Sequence, residues 1–288
     1  MAARTLGVIG GSGLYELPGL ENVERRRVQT PFGEPSDEIV VGHLRGTRLA
    51  FVPRHGRGHR LLPSELPFRA NVYALKTLGA DSIVAVSAVG SLREEIVPGH
   101  VVVPNQLIDR TRGRQAESTF FGRGIVAHVQ FADPFCGSLS VAVAAAARDA
   151  GATVHEGGTY VCMEGPLFST RAESHLYRSW GASIIGMTNL QEAKLAREAE
   201  LCFATLALAT DYDCWREGHD DVQIDKILAV LAANADLAKR TVGLVAERLP
   251  DRGQCGCSRA LENAIITDEA AIPAAVRAEL APIIGRYV

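Results

Sequence analysis

The sequence lacks the features that mark membrane proteins and nucleic-acid-binding proteins. No apolar run approaches the roughly 20 residues that a membrane-spanning helix needs. The formal net charge is only −3 over 288 residues, and the chain has no basic patch of the kind that binds nucleic acid. The N-terminal stretch MAARTLGVIGG lacks the long apolar segment of a secretory signal. We therefore expect a cytoplasmic protein with neither nucleic acid nor membrane as a partner.

Cysteine is also scarce, and its distribution argues against a metal site. Four of the six cysteines lie in apolar or aromatic stretches and are predicted to be small core residues: Cys136, Cys162, Cys202 and Cys214. The remaining two, Cys255 and Cys257, flank one glycine in the polar segment DRGQCGCSR. A structural zinc site requires four ligands, so we predict two free thiols here and no metal, with a redox or disulfide role as the alternative.

Strand-like and helix-like patterns alternate along the whole chain. Residues 5–9, 83–90 and 202–209 form short apolar runs typical of buried strands. The other predicted strands are 38–44, 47–52, 100–103, 158–163 and 182–187, and the first two of these are predicted to form a hairpin that turns at Arg45 and Gly46. A helix is predicted from about Ser64 to Leu78, with Ser64 as its N-cap. The alternation predicts an α/β fold with a mostly parallel or mixed central sheet flanked by helices. Because no linker or repeat interrupts it, we predict a single domain over residues 1–288, with a C-terminal helical segment at 250–288 packing on it.

The chemically unusual residues follow the predicted strands. In open α/β sheets, ligands bind outside the carboxyl ends of the strands, so these segments are predicted to converge on one pocket. The segments are GGSG at 10–13, RHGRGH at 54–59, SAVGS at 87–91, MEGPLFS at 163–169, GMT at 186–188 and TDYD at 210–213.

Several of these segments suit an anion. The forked guanidinium of Arg54 matches a phosphate, and His55 and His59 add donors. The glycines beside them disfavour the helix on which the two histidines could share a metal, which leaves ligand binding or a solvated loop. Ser12 lies in a glycine turn whose backbone N–H groups and hydroxyl can bind an anion, unless the turn is only a strand exit. Ser87 offers a hydroxyl beside small residues at another strand end, where a simple β-turn is the alternative.

Asp211 and Asp213 are two residues apart, so in an extended segment they point to the same side. Two carboxyl groups in an otherwise apolar stretch are costly unless they have a use. One of them could act as a general acid with a raised pKa. The alternative is a helix N-cap beside an ordinary loop carboxylate.

Taken together, several segments resemble the trimeric purine nucleoside phosphorylase family, and within it the branch that acts on 5'-methylthioadenosine. They occur in order between about Leu6 and about Leu249: GVIGGSGL, TPFGEPSD, RHGRGH, GSLREEI, LIDRTRG, EGPLFSTRAES, GMT and ATDYDCW. The resemblance implies a nucleoside phosphorylase fold and cleavage of a purine nucleoside by inorganic phosphate. It also implies a homotrimer or hexamer, and no metal or organic cofactor, because phosphate is a co-substrate.

The resemblance assigns a role to each matching residue. Those implied to bind phosphate are Ser12, Arg54, His55, Ser87, the Ala88 backbone and Thr188. Those implied to contact the nucleoside are Met187 at the ribose, Phe168 at the base or sugar, Ser169 in the base-site loop, His128 from a neighbouring subunit, and Ile224, Ile227 and Leu228 around the methylthio group. Asp211 would protonate N7 of the purine, and Asp213 would accept a hydrogen bond from its 6-amino group.

The chain departs from the family at three places, and other functions stay open. Family members often have Arg at the position of Leu167, Asn at Gly186 and TVPE where this chain has NLQE. Branches acting on 6-oxopurines carry Asn in place of Asp211, and an ionised carboxylate cannot donate to O6, which favours 6-aminopurines. The alternatives are a phosphorylase of 6-oxopurine nucleosides or 5'-methylthioinosine, a water-using nucleosidase and a non-catalytic nucleoside-binding protein. Arg54 and His55 argue against hydrolysis, since water needs no anion clamp.

Overall fold

The computed structural model describes residues 4–11, 14, 17–216, 224–251, 253 and 255–288. Within these residues, eleven strands form one mixed sheet flanked by six α-helices, which confirms the predicted α/β class. The strands are β1 Thr5–Gly10, β2 Glu21–Arg26, β3 Ile39–Leu44, β4 Thr47–Pro53, β5 Ser82–Ser91, β6 Val101–Val103, β7 Gln106–Arg110, β8 Val154–Glu156, β9 Thr159–Met163, β10 Ile184–Gly186 and β11 Cys202–Asp211. The helices are α1 Phe68–Thr77, α2 Gly137–Asp149, α3 Arg171–Ser179, α4 Asn189–Glu198, α5 Ile224–Glu247 and α6 Ala274–Ile284.

Strand β5 is the centre of the sheet. It pairs in parallel with β1 on one side and with β11 on the other, and β1 pairs in parallel with β4. At its far end, Gly90 and Ser91 pair antiparallel with β10, so the sheet branches there. The carboxyl ends of β1, β4, β5 and β11 consequently lie at one edge, which is the edge that the strand-end segments predict for a ligand.

The burial of each strand explains why β1 and β11 could be predicted from the sequence and β2 could not. Strand β1 is buried at every position and β11 at every position before Asp211, as expected for parallel strands covered on both faces. Strand β2 has the sequence ENVERR and is exposed throughout, so it carries no apolar pattern and was not predicted. Charged residues on such a strand also discourage pairing with another chain.

Two local predictions can be compared directly with the structure. The predicted hairpin of β3 and β4 turns at Arg45 and Gly46, which both have positive φ, as a two-residue hairpin turn requires. The predicted start of the first helix at Ser64 is wrong, because α1 begins at Phe68 without a side-chain cap. Pro67 disfavours a helical conformation at the residue before it, and the chain makes a turn at residues 63–65 instead.

The C-terminal segment packs onto the core around α1 and α4. Its buried apolar residues join that cluster: Leu261, Ala264, Ile272, Val276, Leu280, Ile283 and Ile284. The Tyr73 hydroxyl of α1 donates to the Glu279 carbonyl at 2.6 Å, and Glu200, just after α4, accepts from the Leu261 N–H at 3.0 Å. Among the described helices, none combines the length and the apolar character needed to cross a bilayer.

Candidate active site

A cavity of about 640 Å³ opens where the carboxyl ends of β1, β4, β5 and β11 meet. Its wall draws on every strand-end segment described by the structure. The residues singled out from the sequence that line it are Arg54, His55, His59, Ser87, Ala88, Phe168, Met187, Thr188, Asp211 and Asp213. Helix α5 closes one side through Ala232, Ala235 and Ala238.

The other candidate residues are not among the described residues of this wall. Ser12 is outside the described residues, and so are the side chains of Ile224, Ile227 and Leu228, although helix α5 runs through those three positions. Ser169 is half-buried, and its hydroxyl donates to Met163 Sδ at 3.5 Å. His128 is exposed, and its backbone N–H donates to the Ala264 carbonyl at 2.9 Å.

The guanidinium of Arg54 is held mainly by a carboxylate within the protein. Its Nε and Nη2 donate to the two oxygens of Glu192 at 2.5 and 3.0 Å, and both side chains are almost fully buried. Nη1 also donates to the Val86 carbonyl at 2.8 Å, and Nη2 to the Ile9 carbonyl at 3.3 Å. A guanidinium has five N–H groups, and the described residues accept four of them, which leaves one N–H on Nη1 for a ligand. Arg54 therefore contributes its charge and a single donor to the cavity.

Glu192 is the functional residue that reading the motifs missed. It is the last residue of the NLQE stretch, which stands where family members often have TVPE. Burial raises the pKa of Glu192, and the adjacent charge of Arg54 opposes that shift. The other polar members of the stretch are buried and bonded too: Asn189 donates to Thr205 Oγ1 at 2.7 Å, and Gln191 donates to Thr111 Oγ1 at 3.0 Å.

His55 faces the cavity as a neutral imidazole. Burial and the nearby charge of Arg54 lower its pKa to about 4, although the hydrogen bond with Leu61 opposes the shift. Its ring stacks on His59 with centroids 4.2 Å apart. Nδ1 lies 2.9 Å from the Leu61 carbonyl, which can only accept, so Nδ1 carries the proton. Nε2 of the neutral ring is then a hydrogen-bond acceptor.

Half-buried Asp211 and buried Asp213 form a carboxyl pair in the cavity wall. Asp211 accepts from Thr210 Oγ1 and from the Asp213 backbone N–H, both at 2.7 Å. Asp213 Oδ2 is buried and has no hydrogen-bond partner within the described part of the chain. Burial raises the pKa of both groups, and for Asp213 to about 6, with the hydroxyl of Ser174 opposing and the charge of Asp211 adding to the shift.

The backbone that presents this pair is irregular. The pairing of β11 with β5 shifts register between Ala209 and Asp211, and Asp213 has φ of 53°. Non-glycine residues in this region are strained by about 1–3 kcal/mol and cluster at functional sites. A bulge and a residue in the left-handed conformation therefore bring the two carboxyl groups together. The regular extended segment considered from the sequence does not account for their positions.

Two glycines leave room for the groups around the cavity. A side chain at Gly90 would start 3.0 Å from Asp211 Oδ1. A Cβ at Gly186 would lie 2.0 Å from the hydroxyl oxygen of Tyr160. Tyr160 is fully buried, and its hydroxyl lies 3.4 Å from Ser87 Oγ. The departure from Asn at position 186 thus has a physical reason, because the phenol of Tyr160 occupies the space that a side chain there would need.

The long loop after β7 contributes a buried arginine that sequence reasoning also missed. Arg114 donates to the carbonyl oxygens of Met187 and Glu164, and its Nε donates to Glu164 Oε1 at 3.3 Å. These contacts fasten the loop to two segments of the cavity wall. Leu167, by contrast, is 83% exposed, so the substitution of Arg by Leu at this position leaves the wall of its own chain unchanged.

The sequence matches known proteins over nearly all of its length. Residues 5–247 match the phosphorylase superfamily. An S-methyl-5'-thioadenosine phosphorylase of Geobacter sulfurreducens is 61% identical over 285 residues, which cover 99% of each chain. A protein of the same name from Koribacter versatilis is 57% identical over 98% of this chain and 96% of its own.

Solved structures agree with these similarities. A methylthioadenosine phosphorylase from an Antarctic soil metagenomic library superposes with a TM-score of 0.89 at 48% identity, covering 98% of this chain and 99% of the other. The methylthioadenosine phosphorylase of Schistosoma mansoni in complex with adenine has a TM-score of 0.85 at 35% identity, over 91% and 99% of the two chains. With most of its length matched by one family and its fold shared with these enzymes, the chain belongs to the phosphorylase superfamily.

Proposed function

We propose that this chain is a pentosyltransferase that cleaves 5'-methylthioadenosine with inorganic phosphate, giving adenine and 5-methylthioribose 1-phosphate. One observation carries the proposal. A single cavity is lined both by anion-suited residues, including Arg54 and Thr188, and by the carboxyl pair of Asp211 and Asp213. We assign phosphate to the first group, called the anion end, and the purine base to the second, called the carboxyl end, with the sugar between them. The relatives named above act on the same substrate according to their names.

The anion end holds the attacking phosphate. Arg54 supplies positive charge and its remaining N–H, while Ser87, the Ala88 backbone, Thr188 and Ser12 supply further donors. Neutral His55 cannot donate through Nε2, so it accepts a hydrogen bond from the hydroxyl of HPO₄²⁻. This contact selects a protonated phosphate and leaves its unprotonated oxygens turned toward the sugar.

The carboxyl end activates the leaving base. As the glycosidic bond breaks, the sugar develops oxocarbenium character and negative charge accumulates on the purine. Asp211 in its acid form protonates N7 and removes that charge, and burial favours the neutral form that this role requires. Asp213 Oδ2, which has no partner among the described residues, accepts from the 6-amino group. An O6 atom there would face an acceptor, so the pair favours 6-amino over 6-oxo purines.

The middle of the cavity holds the sugar and its 5' substituent. Met187 packs against the ribose, and Phe168 covers the base or sugar, with Ser169 supporting the loop behind it. The 5'-methylthio group lies toward helix α5, whose Ala232 and Ala235 line the wall. Residues Ile224 and Leu228 precede Ala232 at intervals of four along the helix, and with Ile227 they form the apolar pocket of this proposal.

The active unit is a homotrimer, or a hexamer built from trimers. Exposed His128 does not line the cavity of its own chain as described, and it reaches the 5' end of the substrate in a neighbouring subunit. Phosphate is a co-substrate, so the reaction needs no organic cofactor.

The test is release of base from four nucleosides with and without inorganic phosphate. The panel is 5'-methylthioadenosine, adenosine, 5'-methylthioinosine and inosine, with products separated by chromatography. We expect 5'-methylthioadenosine to be cleaved fastest, only with phosphate, and to yield a sugar 1-phosphate. Equal rates in phosphate-free buffer would show a nucleosidase, and preference for 5'-methylthioinosine would assign the chain to the 6-oxopurine alternative.

A further inference from the structure

Four cysteines from three distant parts of the chain converge on one point. The Sγ atoms of Cys136, Cys202, Cys255 and Cys257 all lie within 4.8 Å of one another. Three of the residues are buried and Cys255 is half-buried. The sequence-based view of Cys255 and Cys257 as an isolated pair is therefore wrong, because the fold adds two sulfurs that the sequence places more than 50 residues away.

Two of the four cysteines are positioned by the start of a strand or of a helix. Cys202 opens β11, and its backbone N–H donates to the Asp81 carbonyl at 3.1 Å. Cys136 directly precedes helix α2, and its N–H donates to the carbonyl of Phe203, the next residue of β11, at 2.8 Å. The strand and the helix start are thus bonded to each other before any sulfur is considered. The N-terminus of a helix also favours a thiolate over a thiol.

The C-terminal segment supplies the other two sulfurs. Cys255 and Cys257 flank Gly256, and a short 3-10 turn, Cys257–Arg259, follows. Cys255 Sγ lies 3.4 Å from Cys202 Sγ. The two sulfurs therefore reach the start of β11 from the stretch that connects α5 to the C-terminal helix.

The spacing of the sulfurs suits a metal ion. A tetrahedral zinc site with Zn–S bonds of about 2.3 Å has sulfurs about 3.8 Å apart along each edge. The observed Sγ–Sγ distances, with one at 3.4 Å and all within 4.8 Å, bracket that value. Disulfides would need the sulfurs only in pairs, whereas mutual proximity of all four is what a tetrathiolate site requires.

We propose that Cys136, Cys202, Cys255 and Cys257 bind one structural Zn²⁺ per chain. Zinc is the common ion of closed Cys₄ sites, since it accepts four thiolates in a tetrahedron and has no redox chemistry. None of the four cysteines belongs to the described wall of the active-site cavity. The ion therefore has no part in phosphorolysis. It ties the segment after helix α5 to the paired starts of β11 and α2.

The experiment measures metal in the full-length protein expressed in zinc-supplemented medium. After gel filtration, elemental analysis by mass spectrometry is expected to find about one zinc per chain. Titration with an organomercurial is expected to release it as the four thiols of the cluster react, with half-buried Cys214 outside the cluster consuming a further equivalent. Replacement by Co²⁺ is expected to give the visible absorption bands of a tetrahedral thiolate complex.

Variants locate the site. Cys257→Ser is expected to lose most of the zinc, whereas Cys162→Ala, which removes a buried thiol outside the cluster, is expected to keep it. If Cys257→Ser does not fold, the cobalt spectrum and mercurial titration of the wild type still decide the matter. Zinc-free protein from zinc-replete cells would overturn the proposal. So would an intact mass showing disulfides through the loss of two hydrogens for each, full zinc retention by Cys257→Ser, or iron in place of zinc.

Discussion

Arg54 Nε lies 2.5 Å from Glu192 Oε1, in an ion pair whose side chains are 4% and 3% exposed. The pair joins the end of β4 to helix α4 across 138 residues of sequence. The pair fixes the guanidinium beside the cavity. Glu192 occupies two of its five N–H donors, and the Val86 and Ile9 carbonyls occupy two more. The energetic role of the pair can be tested separately from its role in catalysis.

Glu192→Gln is expected to destabilise the protein strongly. Removing one partner of a buried ion pair leaves an uncompensated charge and typically costs about 3–5 kcal/mol. Glu198→Gln is the matched control. Glu198 lies on the same helix, burial raises its pKa to about 7, and its neutral form is therefore already accessible. Urea unfolding is expected to show the larger loss for Glu192→Gln, and equal losses would contradict a structural ion pair.

Replacing both members, Arg54→Met with Glu192→Met, is expected to restore stability but not phosphate binding. Apolar residues of similar volume often replace a buried ion pair at no cost in stability. Loss of a charged hydrogen-bond donor worth about 1.5–3 kcal/mol is expected to raise the KM for phosphate by roughly 10- to 150-fold. The KM for the nucleoside is expected to change little. Unchanged phosphate kinetics in the folded double variant would remove Arg54 from the phosphate site.

Asp211→Asn is expected to shift preference from 6-amino toward 6-oxo purines. The variant cannot protonate N7, and loss of a general acid costs about 10²–10⁴ in rate. Its amide can however donate to O6, so 5'-methylthioinosine is expected to lose less activity or to gain. The measurement is kcat/KM for 5'-methylthioadenosine and 5'-methylthioinosine in both proteins. An unchanged ratio between the substrates would mean that Asp211 does not contact the base.

Activity toward 5'-methylthioadenosine is expected to fall on the acid side of a pKa near 6. Asp213 accepts a stronger hydrogen bond from the 6-amino group when it is ionised, and burial raises its pKa to about 6. His55, with a pKa of about 4, stays neutral over this range. The measurement is the pH profile of kcat/KM, which reports groups of the free enzyme. Asp213→Asn is expected to abolish this acid limb, and a limb that persists in the variant would assign it to another group.

The same group has the opposite effect on stability. Because the pKa of Asp213 is higher in the folded protein than its ordinary value of 3.8, the folded state binds the proton more tightly. Its contribution to stability is therefore present at low pH and is lost as the pH rises through about 6. Wild type is expected to lose stability relative to Asp213→Asn between about pH 4 and pH 6, as measured by urea unfolding.

Gly186→Ala is expected to disturb the cavity wall through Tyr160. A Cβ at this position would lie 2.0 Å from the phenol oxygen, and overpacking of this kind typically costs about 1–3 kcal/mol. Gly137→Ala is the control, since nothing lies within 4 Å of an added Cβ there. Adding Tyr160→Val to Gly186→Ala is expected to recover part of the lost thermal stability. Strictly additive losses would show that the two residues do not compete for the same space.

The sequence by itself determined the α/β class, most strand positions and the convergence of the strand-end segments. Buried parallel strands leave continuous apolar runs, as in β1 and β11. The rule that ligands bind at the carboxyl ends of such strands then predicts that Arg54 and Asp211 share one cavity, and both line it. Each of these inferences depends on apolar runs or on short motifs in a fixed order, and both can be read directly from the sequence.

Only the tertiary structure decided which distant groups meet. It paired Arg54 with Glu192, filled the space beside Gly186 with the phenol of Tyr160, and brought Cys257 to the start of β11. None of these contacts follows from periodicity, because each joins residues on different elements whose approach depends on how those elements pack. A sequence pattern shows which face of an element is buried, whereas the partner that this face meets is set by the packing of the whole sheet.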